Sequence, residues 1–162
     1  MRRHDEEITD LSEILKVFKK CDVIRLGLCA ENKPYIVPLH FGLENSGDNI
    51  AIYLHCASVG KKLDLARQND NVCFEADTLF ETVEMEEACQ WYAVFDSIYG
   101  EGKISFIEDA TEKEKALDSI MEHYNFPGKP TYSDESIATV CCLKIDVSFI
   151  SGKRKLGSAV GI

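Results

Sequence analysis

The residues that decide the fold run from Val23 to Cys56 and read VIRLGLCAENKPYIVPLHFGLENSGDNIAIYLHC. Apolar side chains alternate with other residues in three runs, Val23–Ala30, Tyr35–Gly42 and Ile50–Cys56. A period of two predicts β-strands, because successive strand side chains point to opposite faces. The intervening residues, 31–34 and 45–48, are rich in Asn, Gly, Asp and Pro and predict tight turns. We therefore predict an antiparallel meander of three strands.

Pro38 lies in the middle of the second predicted strand. Proline has no backbone N–H to donate to a neighbouring strand, so this strand is expected at a sheet edge or at an irregularity.

Working outward, the same periodicities predict the remaining elements. Helices are predicted at about residues 10–20, at 58–69 and from Thr111, and further strands at 72–77, 91–98, 103–107 and 137–150. Gly100 and Gly102 predict a bulge or a close backbone approach between two of these strands. The acidic segment 78–90 is interpreted as a solvated excursion and 125–135 as a loop. Six to seven antiparallel strands with about three helices favour a mainly β, partly open barrel, in a single domain spanning residues 1–162.

Composition limits the function classes. The chain has 162 residues and a formal net charge of −10, which opposes non-specific binding to nucleic acid or to anionic membranes. Its charged N-terminus is not followed by an apolar run, so we expect no secretory signal. The seven cysteines are odd in number and include no Cys-x-x-Cys pair, which favours free thiols packed as small hydrophobes and a cytoplasmic location.

The strongest chemical signal lies where the third strand gives way to a helix. Residues 52–65 read IYLHCASVGKKLDL, so a strand ends near His55 and a helix starts near Ser58, with Gly60, Lys61 and Lys62 at the junction. The N-terminus of a helix attracts phosphate, since its amides are unpaired and its dipole is positive there. Glycine admits the anion and lysine adds charge. A capped helix with two solvated lysines is the alternative.

Two of the four histidines, His40 and His55, are predicted at strand ends on the face opposite the main apolar stripe. An imidazole there suits contact with a cofactor, donation to an anion or ligation of a metal. Zinc is disfavoured because no further Cys or His set has suitable spacing. A histidine that is simply hydrogen-bonded at the sheet rim is the alternative.

Several stretches together resemble a known family. Residues 21–28 (CDVIRLGL), 34–42 (PYIVPLHFG) and 53–64 (YLHCASVGKKLD) are similar to the nitroimidazole-resistance branch of the pyridoxamine 5′-phosphate oxidase-like proteins. Residues 1–10 (MRRHDEEITD), 96–103 (DSIYGEGK) and 150–154 (ISGKR) fit the same branch, in the same order.

The resemblance implies an FMN-binding split β-barrel that forms a homodimer, with the flavin near the subunit interface. By position, the flavin ring would be lined, largely through backbone groups, by Val37, Pro38, Leu39 and His40. The residues expected around the ribityl phosphate are His55, Ala57, Gly60, Lys61 and Lys62. Ser97 and Ile98 match strand positions near the ring. The predicted strand 137–150 is apolar on both faces, which also favours cover by a second subunit.

The function that follows is an FMN-dependent oxidoreductase that reduces a small acceptor such as a nitroaromatic compound. His40 and Tyr92 are candidate proton donors, because such a reaction needs a proton source near the ring. Val37 and Gly42 stand where the pyridoxamine phosphate oxidases have an arginine and a lysine, so we do not infer their vitamin substrate. The alternatives are a non-catalytic flavin- or haem-binding sensor or storage protein, and an interaction protein with an empty site.

Overall fold

The computed structural model describes residues 4–47 and 49–156. Met1–Arg3, which open the family resemblance, and Asp48 of the second predicted turn lie outside the described residues. The strands are β1 (Glu7–Ile8), β2 (Ile24–Ala30), β3 (Lys33–Leu39), β4 (Phe41–Ser46), β5 (Asn49–Ala57), β6 (Asn71–Val83), β7 (Tyr92–Ile107) and β8 (Val140–Lys155). The α-helices are α1 (Leu11–Phe18), α2 (Lys61–Gln68), α3 (Ala110–His123) and α4 (Asp134–Thr139).

All eight strands belong to one antiparallel sheet in the order β3-β2-β6-β7-β8-β5-β4, with β1 paired to β8. The mainly β, antiparallel fold is as predicted, and Pro38 does lie on an edge strand. The predicted meander is wrong at one point, because β3 and β4 lie at opposite edges and do not pair. Only His40 separates them in the chain. The two edges therefore have to meet at this residue, and the sheet curls into a split barrel.

The barrel interior is filled by alternate side chains of the strands and by α1. The Phe18 ring of α1 lies 5.7 Å from that of Phe41 and 6.0 Å from that of Phe74, and all three are fully buried. A second cluster lies outside the barrel, where α3 covers β5 and β8; it consists of Tyr53, Ala116, Ile120 and Cys142. Helix α3 also packs closely on β4, because a Cβ atom on Gly42 would lie 2.5 Å from the Ile120 amide nitrogen.

Two predicted segments differ from the structure. The sheet continues through the acidic segment predicted as an excursion, since β6 reaches Val83 and pairs with β7 there. Residues 137–139, predicted as strand, form the end of α4, which Ser133 caps by accepting a hydrogen bond from the Ser136 amide. This helix and the short β1 bring the totals to eight strands and four α-helices among the residues that the structure describes.

Strand β7 is continuous through Gly100 and Gly102, and the predicted irregularity is present. The register between β7 and β8 shifts at Glu101 and Gly102, where Ser148 of β8 is the extra residue. Strand β8 is apolar on both faces, but α3 covers the first half of its outer face, including Cys142. Phe149 remains 50% exposed. The outer face of β8 is therefore left uncovered at the end around Phe149.

One ion pair ties the last strand to the rest of the fold. Asp96 of β7 is 1% exposed, and the Arg154 guanidinium of β8 donates to both of its carboxylate oxygens, at 2.7 and 3.0 Å. Arg154 also reaches Glu13 of α1, at 3.4 Å. No helix among residues 4–47 and 49–156 is both long and apolar enough to cross a membrane.

We predict that Arg154→Met lowers the free energy of unfolding by about 3–5 kcal/mol, because it leaves the buried Asp96 carboxylate without a partner. Urea unfolding measures the loss. Lys103→Ala, which removes the exposed ion pair with Asp70, is the control and should cost no more than about 1 kcal/mol. Equal losses in the two variants would show that the buried pair contributes no more than a surface pair.

Candidate functional site

The junction between β5 and α2 has the features of an anion site. Strand β5 ends at Ala57, and α2 begins at Lys61 rather than near Ser58. Gly60 is the N-cap residue, with φ of 143°, and no atom lies within 4 Å of the position a Cβ would take. Gly60 has no side chain to cap the helix, so the amides of Lys61 and Lys62, which precede the first bond inside the helix, have no side-chain cap.

The two lysines of the junction face different neighbours. The Lys61 ammonium lies 4.7 Å from the centre of the Tyr35 ring, which brings the start of α2 against β3. An aromatic ring attracts a cation without neutralising it, so the Lys61 charge stays available to an anion. Lys62 lies close enough to Cys56 to favour the charged form of that thiol. Helix amides, an open glycine and lysine ammonium groups form a donor set that fits a phosphate group.

Strand β3 supplies the residues predicted to line the flavin ring. Val37 and Leu39 pack against the barrel core, whereas Pro38 and His40 are exposed. Strand β3 has one neighbour, β2, within the described sheet, so its other edge presents backbone N–H and C=O groups. This edge fits a ligand that is bound largely through backbone groups, as expected for a flavin ring.

The two histidines singled out from the sequence lie together where the barrel edges meet. The His40 ring lies 4.9 Å from the ring of Tyr124, which follows α3, at an angle of 59°, and His40 electrostatically affects the half-buried His55. Burial, and then His40, lower the pKa of His55 below 6.5. The Tyr124 hydroxyl accepts from the Phe41 amide at 3.3 Å and donates to the Asp22 carbonyl at 2.7 Å, which holds the helix end against this region.

Strand β7 places its three predicted residues in different surroundings. Ser97 is half-exposed on the outer face, opposite Asp77, whose carboxylate accepts from Arg25. The Ile98 side chain is 1% exposed in the core, so only its backbone is left to approach a ligand. Tyr92, at the start of β7, lies beneath the Lys155 ammonium, at 4.8 Å.

Sequence reasoning missed a cavity of about 460 Å³ on the outer face of β2, β3, β6 and β7. Its lining includes Arg25, Cys29, Tyr35, Ile36, Cys73 and Tyr99. Gly27 keeps it open, because a Cβ there would lie 2.6 Å from the Cys73 sulfur. The signal was the second face of β2, where Arg25, Gly27 and Cys29 alternate with the core leucines. Among the described residues, no group of His, Cys, Asp and Glu is arranged to hold a metal ion.

Comparisons with known proteins, by sequence profile and by structure, agree on one family. The sequence profile of the family described as pyridoxamine 5′-phosphate oxidase matches residues 10–154. A structure of a proposed 5-nitroimidazole antibiotic resistance protein from Bacteroides thetaiotaomicron is 33% identical; the match covers 91% of this chain and 85% of that one, with a TM-score of 0.79. None of the curated proteins matches this chain.

Two more distant structures share the fold. The flavocytochrome Anf3 from Azotobacter vinelandii is 18% identical, with 97% of this chain and 72% of that chain covered. The FAD and heme binding protein from Mycobacterium smegmatis is 15% identical, with 94% and 74% covered. Both have a TM-score of 0.79.

We predict that His55 titrates below pH 6.5 in an NMR titration and that His40→Asn moves its midpoint upward, though still below 6.5, since burial is the larger cause. A lowered pKa in the folded protein means that the unfolded state binds more protons. The stability contributed by neutral His55 is therefore complete above about pH 6.5 and is lost as the pH falls through the folded value. Urea unfolding at pH 5 and 7 should show a smaller loss for His55→Gln than for the unsubstituted protein. An unchanged His55 midpoint in His40→Asn would contradict the coupling.

Proposed function

Because this chain belongs to the pyridoxamine 5′-phosphate oxidase family, we propose that it binds FMN and acts as an oxidoreductase that reduces a small acceptor such as a nitroaromatic compound. The observation that carries the proposal is the start of α2, where Gly60 leaves open space and the Lys61 ammonium lies against Tyr35 of the edge strand β3. An anion site next to a strand edge suits a ligand with a phosphate at one end and a planar, hydrogen-bonding ring at the other.

The phosphate end would be held by the first amides of α2 together with Lys61 and Lys62. His55 and Ala57, at the end of β5, border the same junction. FMN and FAD share this phosphate next to the ribityl chain, and the Mycobacterium smegmatis neighbour is named as an FAD binder. The exposed setting of Gly60 leaves room for either, and the mass of the ligand released from the purified protein distinguishes them.

The ring end would lie along Val37, Pro38, Leu39 and His40. When bound, a flavin supplies the hydride or electron transfer, and the protein positions it and controls its surroundings. His40 is exposed at this edge, with its ring against that of Tyr124, and is the candidate to deliver a proton to an acceptor. Tyr92 is the weaker candidate, since it pairs with Val83 at the end of β6, whereas β2, the neighbour of β3, pairs with β6 at residues 73–75.

The acceptor class follows from the 33% identical nitroimidazole-resistance neighbour and from Gly42. A lysine at position 42, as in the pyridoxamine phosphate oxidases, does not fit here, because its Cβ would lie 2.5 Å from the Ile120 amide nitrogen. The charge that the resemblance associates with phosphate at that position is therefore excluded by α3. This argues against the phosphorylated vitamin and for a small acceptor without phosphate.

The proposed active form is a homodimer joined through the outer face of β2, β3, β6 and β7. This face carries the apolar cavity and the side chains of Ile36 and Tyr99, which are 69% and 43% exposed, and it adjoins Phe149 of β8, which is 50% exposed. Clustered apolar side chains on a surface favour a protein interface. The face adjoins β3, so a partner subunit there would cover the ring end of the flavin. Sedimentation as a stable 18.2 kDa monomer at micromolar concentration would rule this arrangement out.

A haem-binding sensor is the second candidate, favoured by the proximity of His40 and His55 and by the two distant neighbours named as haem proteins. The absorbance spectrum of the purified protein separates the two candidates. Flavin bands support the proposal, whereas a Soret band supports haem.

We predict that Lys61→Ala weakens FMN binding by about 10–100-fold, because it removes a charge-assisted hydrogen bond to the phosphate. Riboflavin, which has no phosphate, should bind the variant almost as well as the unsubstituted protein. Fluorescence titration measures both affinities. Lys33→Ala, an exposed lysine beside Glu31, is the control and should leave both unchanged. Equal losses for the two ligands would show that Lys61 has a structural role.

We predict that the reduced, FMN-loaded protein passes electrons to nitroaromatic or quinone acceptors faster than free reduced FMN does. Anaerobic stopped-flow absorbance follows the return of oxidised flavin. His40→Asn should slow the reaction more than it weakens flavin binding, since it removes a proton donor but keeps the backbone groups of β3 and the phosphate site. If no acceptor reacts faster than with free FMN, the protein is a flavin carrier or sensor and the enzyme proposal is wrong.

A further inference from the structure

Two cysteines face each other on the neighbouring strands β5 and β8. Cys56 of β5 is the register partner of Cys141 of β8. Paired residues of antiparallel strands point to the same side of the sheet, with Cβ atoms about 4.5–5.5 Å apart. Both side chains are half-buried, and both pack against the edge of the barrel core. Solvent therefore reaches a pair of thiols that the strands already hold together.

The electrostatics of Cys56 agree with this pairing. After burial, Cys141 is the next cause that raises the pKa of the Cys56 thiol, whereas Lys62 at the start of α2 acts in the opposite direction. A disulfide requires Cβ atoms about 3.5–4.5 Å apart and Cα atoms about 4.4–6.8 Å apart. A small approach of β5 and β8 is enough to meet these limits.

None of the remaining cysteines has such a partner among the described residues. Cys21 and Cys142 are buried, and Cys142 opposes His55. Cys29 opposes Pro34, and Cys73 opposes Gly27 and Glu101. Cys89 lies in the short helical turn between β6 and β7. The chain thus offers one opposed pair among several single thiols, which provides internal controls.

We propose that Cys56 and Cys141 form a redox-active dithiol that low-molecular-weight disulfides oxidise reversibly to an intramolecular disulfide. One thiol loses its proton and attacks the small disulfide, which forms a mixed disulfide and releases one thiol molecule. The second cysteine then attacks the mixed disulfide, which closes the Cys56–Cys141 bond and releases the second thiol molecule. Overall, the protein loses two electrons and two protons, and one small disulfide becomes two thiols.

Burial and Cys141 raise the pKa of Cys56 to about 11, so the attacking thiolate is scarce at neutral pH. Oxidation is therefore expected to be slow and to accelerate with rising pH. The bond joins residues that are far apart in the chain, so it restricts the unfolded state strongly and is expected to raise the melting temperature by about 5–15 °C. It also fixes the end of β5 just before the loop that leads to Gly60.

The test equilibrates the purified protein in mixtures of reduced and oxidised glutathione, quenches with acid and alkylates the remaining thiols for mass spectrometry. In oxidising mixtures we expect a protein lacking two hydrogen atoms, with Cys56 and Cys141 protected, a higher melting temperature, and full reversal in excess reduced glutathione. Cys73→Ser should retain these changes, and Cys56→Ser and Cys141→Ser should each lose them. Fragment ions that separate Cys141 from Cys142 assign the bond.

The proposal is wrong if Cys56 and Cys141 stay open to alkylation in mixtures that attach glutathione to the exposed Cys73, or if Cys56 pairs with Cys142 instead. These readouts use the unsubstituted protein, so they do not depend on whether a variant folds. They also do not depend on bound flavin, and success or failure here leaves the proposed oxidoreductase function untouched.

Discussion

The fold depends on one constraint, which is that His40 alone joins two opposite edges of the sheet. Strand β3 ends at Leu39 and β4 starts at Phe41, yet the hydrogen-bonded path from β3 to β4 passes through every other long strand. Neighbouring Cα atoms are 3.8 Å apart, so the edges must come together at this point. Curling of the sheet encloses the core, and the same link leaves β3 without a second strand neighbour. The link through His40 therefore both closes the barrel and leaves one edge of β3 open.

Helix α3 stabilises this link and also determines what can lie near it. Its last residues bond back to the chain on both sides, through Tyr124 to Phe41 and Asp22 and through His123 to the Cys21 carbonyl. The close packing at Gly42 and the contact between the His40 and Tyr124 rings both result from the way α3 packs against β4. The helix therefore supports His40 from one side while it excludes a long side chain at position 42. Under the proposed function, the choice of acceptor and the shape of the barrel would both depend on how α3 packs against β4.

The sequence predicted well which face of each strand is buried, and much less well which strands pair with each other. Alternation in β2, β3 and β5 predicted which residues are buried, because the strand period of two is a local property. It did not reveal that β3 and β4 separate, since pairing depends on contacts distant in the chain. The acidic β6 extension was missed because paired strands at a surface tolerate charge, and residues 137–139 because a Ser cap at position 133 outweighs alternation. Local helix chemistry was enough to predict Gly60 and Lys61 as a candidate anion site, whereas the outer cavity needs β2, β3, β6 and β7 together.

The acidic composition strengthens the argument for a local phosphate site. A net charge of −10 repels anions at long range, but salt screens charges beyond a distance of about 8–10 Å. At physiological ionic strength, a phosphate near Gly60 is therefore affected mainly by the α2 amides and the adjacent lysines. The Tyr35 ring orients Lys61 without a carboxylate, so this cation does not have to break an ion pair when an anion arrives. One carboxylate, that of Asp64, lies in the first turn of α2, and the Arg67 guanidinium donates to it at 3.4 Å. The proposed site therefore depends on the first α2 amides and on Lys61, whose neighbour is a neutral ring instead of a carboxylate.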